Sequence, residues 1–139
     1  MKPFFTFLLV LVTLTTYAQT TRPFLGWNKQ KIENELKNHQ DLVQDDSWVT
    51  ADKEIKTISF HKKDDATSVV IFYLNKQDKC FMHSVFKSLN ELPETIKKFN
   101  TIYKREDEGL WKNNTGDTSI KLEYKIGDYY FIVKYTDNL

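Results

Sequence analysis

The chain has 139 residues, 20 Lys and Arg against 19 Asp and Glu, and one cysteine. That charge balance gives no global pull on nucleic acid or on an anionic membrane surface. The length suits one ordinary domain rather than two, and a lone cysteine excludes a disulfide within the chain.

The first 18 residues have the layout of a secretory signal peptide. Lys2 precedes an uncharged run, Phe4 to Val12, and the small residues Thr16 and Ala18 stand three and one positions before the expected cut. The expectation is a removed leader at 1–18 and a single α+β domain at 19–139. Removing Lys2 balances the charges, and no cysteine near the cut offers a lipid-attachment point. No later run approaches the roughly 18 apolar residues of a membrane span, so no stable membrane anchor is expected after cleavage. The destination is the periplasm or the exterior.

Gly26-Trp27-Asn28 opens a helix. Asn28 is a good N-cap, Trp27 can staple onto Ile32, and Ile32 and Leu36 share one face. The helix is expected to fade near His39-Gln40. Trp48-Val49-Thr50 reads as a short first strand. Lys56 to Lys62 alternates, Ser68 to Leu74 is a continuous apolar run suited to a central strand, and Lys79 to Phe86 returns as a strand. A second helix is expected with Asn90 as cap, Pro93 in its first turn, and Leu92, Ile96, Phe99 and Tyr103 at helical spacing. Lys104 to Lys112 reads as one extended segment. Asn113 to Asp117 is a turn, Ser119 to Ile126 alternates, Gly127-Asp128 is a two-residue hairpin turn, and Tyr129 to Tyr135 closes the chain.

The fold class is therefore α+β, with antiparallel sheet and two helices packed on one face. The order allows two helix-then-strands halves, although their sequences are not visibly alike.

Catalytic and metal candidates are few. Cys80 and His83, three apart on a strand, point to opposite faces unless the strand bulges. Tight turns would put Ser68 opposite His61 and Val70 opposite His83, so that His61 and His83 share a face and form the one conceivable metal pair. A zinc site needs a third ligand, and none is identifiable. Asp45-Asp46, Asp64-Asp65 and Glu106-Asp107-Glu108 do not fit a calcium loop. Asn113-Asn114-Thr115 matches a glycosylation sequon but reads as a turn. Nothing indicates an enzyme or a cofactor.

The same tight-turn pairing sorts the strands into faces. Ile58, Phe60, Val69, Ile71, Tyr73, Cys80, Met82 and Phe86 would face the helices. The outer face would carry Val70, Phe72, Phe81, His83 and Val85, continued by Tyr130. Several large side chains left bare there point to a covering segment or to a protein partner. The leading expectation is an exported, non-catalytic protein-binding domain. The alternative is a domain that binds a small ligand or a metal through His61 and His83.

Gly26 to Leu36, with a polar cap, a Lys, and Ile and Leu four apart, resembles the opening helix of small exported bacterial domains. These are the outer-membrane-assembly lipoproteins of the SmpA/OmlA type and the β-lactamase-inhibitor-like proteins. The resemblance implies an α+β module that binds other proteins through its sheet face. The chain departs from the lipoproteins in lacking their lipid-attachment cysteine.

Overall fold

The computed structural model describes residues 24–45, 50–124 and 128–138. The expected leader at 1–18 lies outside them, as do Trp48 and Val49 of the expected first strand and Gly127 of the expected turn. The described residues form an α+β fold with one eight-stranded antiparallel sheet and two helices. In chain order these are α1 (Lys29–Lys37), β1 (Leu42–Gln44), β2 (Lys56–Lys62), β3 (Val69–Leu74), β4 (Cys80–Ser88), α2 (Leu92–Ile102), β5 (Lys104–Asp107), β6 (Leu110–Lys112), β7 (Thr118–Glu123) and β8 (Tyr130–Asp137). A 3-10 turn, Leu89–Glu91, leads into α2. The strand order is β1-β2-β3-β4-β8-β7-β6-β5, so the last strand of each four-strand run meets the other at the centre.

Local chemistry explains most boundaries. Asn28 Oδ1 accepts from the Lys31 amide at 2.8 Å, satisfying one of the free donors of the first turn. Trp27 packs against the cluster that contains Ile32, and the Lys31 ammonium lies 3.9 Å from the centre of its ring. The start of α2 differs from expectation. Asn90 falls inside the 3-10 turn, Glu91 holds the cap position without a side-chain cap bond, and Pro93 sits in the first turn. The segment 104–112 is two strands rather than one. Gly109, with φ +68°, reverses the chain between them, and a Cβ there would meet the Leu122 carbonyl at 3.3 Å. The first strand is Leu42–Gln44, which three residues are too short to announce by alternation.

Register is where expectation and structure part. Lys62 N donates to Ser68 O, and Asp65 ties the intervening loop by accepting from Thr67 N at 2.9 Å and Ser68 Oγ at 2.6 Å. His61 consequently pairs with Val69, not Ser68. In the next turn Asp78 adopts a left-handed φ of +62°, Asn75 Oδ1 accepts from Gln77 N and Lys79 N, and a bulge follows between Tyr73/Met82 and Leu74/Cys80. His83 consequently pairs with Phe72, not Val70. The one-residue difference turns β2 over relative to β3, whereas the two-residue difference keeps His83 on the face shared by Val70 and Phe72.

The observed row of direct partners runs Ile58–Phe72–His83–Tyr135–Ile120–Trp111 across six strands. Its members enter two hydrophobic clusters. Ile32 and Leu36 of α1 cluster with Ile58, Phe60, Phe72, Leu74 and Cys80. Phe99 of α2 and Tyr103 at its C-terminal end cluster with Trp111, Ile120, Phe131 and Val133. The alternate positions are not bare either, for Ser59, Val69, Ile71 and Ser84 are all buried.

Candidate functional site

The structure does not bring the six expected face residues together. Phe72 is 0% exposed and His83 2%, so both are core residues. Val70 and Val85 are direct partners on the same face as Phe72 and are half-buried. Phe81 occupies the bulge. Tyr130 pairs with Ser88, which alternation places on the opposite face from Val85 and His83. The expected outer face merges with the core because the β2–β3 register differs by one residue, which brings Ile58 and Phe60 onto the face of Phe72, and because the bulge in β4 adds Cys80 to that face.

The metal pair fails for the same reason. His61 pairs with Val69 and His83 with Phe72, three residues apart on β3 and so pointing to opposite sides. His61 Nδ1 contacts the Lys62 carbonyl at 2.9 Å. Among the described residues no group of three or more His, Cys, Asp or Glu gathers in a way that could hold a metal ion.

Cys80 and His83 share a face after all, because the bulge at Phe81 restores the phase. They still make no nucleophile–base pair. Cys80 Sγ donates to the Met82 carbonyl at 3.4 Å, and His83 Nδ1 is buried without a partner. Burial pushes the Cys80 thiol up to about 12, so the thiolate that chemistry requires is not available near neutral pH. Native protein is expected to leave Cys80 unmodified by a disulfide-exchange reagent over minutes, with full reaction in urea. Prompt reaction of the folded chain would contradict this burial.

His83 lies in an aromatic nest. Its ring stacks on Tyr135 at 4.5 Å and 8°, tilts against Phe72 at 5.6 Å, and meets Phe24 edge-on at 5.8 Å. Desolvation pulls its pKa down to about 3, so the ring is neutral at ordinary pH. The sequon residue Asn113 is also internal. It is 4% exposed, and its side chain accepts from the buried Thr118 amide at 3.1 Å and donates to Asp117 at 2.5 Å.

Three exposed tyrosines lie at one end of the β7–β8 pair. Tyr124, Tyr129 and Tyr130 are 57%, 90% and 40% exposed. The β7–β8 register, with Glu123 opposite Ile132, is the one a two-residue turn at 127–128 implies. Two grooves border this end and share Tyr124 and Glu123. One, of about 430 Å³, runs toward Leu92, Ile96, Trp111 and Leu122. The other, of about 370 Å³, runs toward Asp128, Tyr130 and Ile132. Glu123 is held by Lys134 at 2.6 Å and Lys121 at 2.9 Å, and those two partners keep its carboxyl below the usual range. Tyr130 packs at 5.6 Å on Phe86. The face expected from sequence includes Tyr130 but not Tyr124 or Tyr129, although tyrosines on either side of Gly127-Asp128 are a visible signal.

No protein-family model, curated protein or solved structure matches this chain.

Proposed function

We propose that the chain is an exported, non-catalytic protein-binding domain whose contact surface is the tyrosine-bearing end of the β7–β8 pair. The observation that carries this reading is the gathering of Tyr124, Tyr129 and Tyr130, three exposed aromatics bordered by two grooves. Tyrosine is enriched at protein interfaces, because it offers a large rigid contact area with a polar tip.

Export rests on the leader-like 1–18 segment, and the SmpA/OmlA-type resemblance supports the same role. In this reading both helices lie over one face of the sheet. The two clusters share the row from Ile58 to Trp111, which supports that arrangement. The element order supports two αββββ halves joined through β4 and β8.

The test combines two measurements. Mass spectrometry of the exported protein should find Gln19 at or near its N-terminus. Partners captured by the native chain should be lost by a Tyr124→Ala/Tyr129→Ala/Tyr130→Ala variant with unchanged circular dichroism, since interface hot spots each contribute about 2 kcal/mol or more. A folded triple variant that keeps every partner at native affinity would sink the assignment.

A further inference from the structure

The larger groove carries chemistry that the tyrosines do not. Leu92 and Ile96 reach it from α2, Trp111 from β6 and Leu122 from β7. The Trp111 indole N–H already donates to Asn100 Oδ1 at 2.9 Å, so its remaining surface is apolar. Arg105 also lines the groove and is the direct partner of Trp111 across β5–β6. Its Nε donates to the Asp107 carbonyl at 3.4 Å, and no carboxylate pairs with its guanidinium among the described residues. The two lining carboxylates differ. Glu123 is compensated by Lys121 and Lys134, whereas Glu108 is exposed.

We propose that this groove binds a small monocarboxylic acid with a medium-length apolar tail. A guanidinium fork matches a carboxylate in two parallel hydrogen bonds, and Arg105 has donors to spare. The tail lies against Leu92, Ile96, Trp111 and Leu122, where its burial from water drives binding. Among the described residues Arg105 is the one cation in the lining, so the groove offers a fork for a single carboxylate. The volume of about 430 Å³ falls in the range of roughly 300–1,000 Å³ typical of small-molecule sites. The groove shares Tyr124 with the protein-contact surface proposed above, but the ligand proposal uses its apolar wall and Arg105, and its test needs no protein partner.

The probe is decanoate, titrated into the full chain below its micelle concentration and followed by assigned nitrogen–proton spectra. Saturable shifts are expected at Trp111 Nε1 and the Gly109 amide, with a Kd below about 1 mM. Arg105→Gln, at an exposed position, should weaken decanoate by about tenfold or more, as loss of a charged hydrogen-bond partner does. Decanol should bind the native chain about as weakly as decanoate binds that variant, and the substitution should not change decanol binding. Ile96→Trp, which fills the groove, should abolish the shifts. The proposal is overturned by decanoate affinity unchanged in Arg105→Gln, by shifts scattered over the surface, or by no saturable shift. Shifts produced by an apolar peptide but not by decanoate would overturn it in favour of a peptide groove.

Discussion

Phe72→Ala is expected to lower the unfolding free energy by about 3–5 kcal/mol, the usual cost of deleting a buried phenyl ring. Phe72 is fully buried and meets Phe24 at 5.1 Å and Phe60 at 6.3 Å, as well as His83. Cutting it to Ala leaves a cavity bordered by both α1-side and β-sheet residues of the cluster. Small domains are stable by about 5–15 kcal/mol in all, so this one substitution removes a large share. Phe81→Ala is the matched control. Phe81 is half-buried at the bulge, outside both clusters, and its loss should cost less than half as much. Urea titrations of the two variants, read at equal m-value, decide the matter. A Phe72 substitution that costs no more than Phe81→Ala would contradict this packing and reinstate an outer face bearing both rings.

Those two registers divide what the sequence showed from what it hid. Asn28 as a cap, Ile32 and Leu36 as a helix face, and the alternation of 56–62 are local patterns, and each survives in the structure. The second half is legible to the level of faces. Ile120 and Leu122 do share a side with Tyr135 and Val133, as the expected pairing of these strands has it. The first half is not. Its turns are set by Asp65 and Asn75 side chains bonding to nearby backbone, by a left-handed Asp78, and by the bulge at Phe81. None of these changes the apolar pattern of the strands, yet the first turn shifts β2 by one residue against β3 and the second, with its bulge, shifts β4 by two, so that Ile58, Phe60 and Cys80 join the face of Phe72 and His83 and make it core. The candidate site suffered most, since it was built on phase. Tyr130 alone among the six expected residues stays exposed. The Arg105 groove was hidden for a different reason. It depends on Gly109 splitting 104–112 into two strands and bringing Arg105 opposite Trp111.

Acidification is expected to destabilise the fold through His83 before the carboxylates contribute. The folded-state pKa of His83 is about 3, against 6.5 for the free side chain. The unfolded chain therefore binds a proton that the folded chain refuses, so stability is full above about pH 6.5 and falls as pH drops toward 3. The loss approaches about 1.4 kcal/mol for each pH unit well inside that window. Asp65 and Glu123 have lowered folded pKa values, Asp65 to about 2 through its bonds to Ser68 and Thr67 and Glu123 through Lys134 and Lys121. Their stabilisation is present above the unfolded values of 3.8 and 4.5 and fades only below them. The interval between about pH 6 and 5 thus separates the His83 imidazole from these two carboxylates. His83→Phe retains an aromatic ring beside Tyr135 and Phe72 and removes the titration, so its stability curve should be flat across that interval. His83→Gln, smaller and also uncharged, serves if the larger ring does not fit. Urea midpoints measured at half-unit steps from pH 7 to 4.5 give the answer. A native chain equally stable at pH 6.5 and 5, or a slope that persists in both variants, would show that His83 is not the buried neutral base this packing makes it.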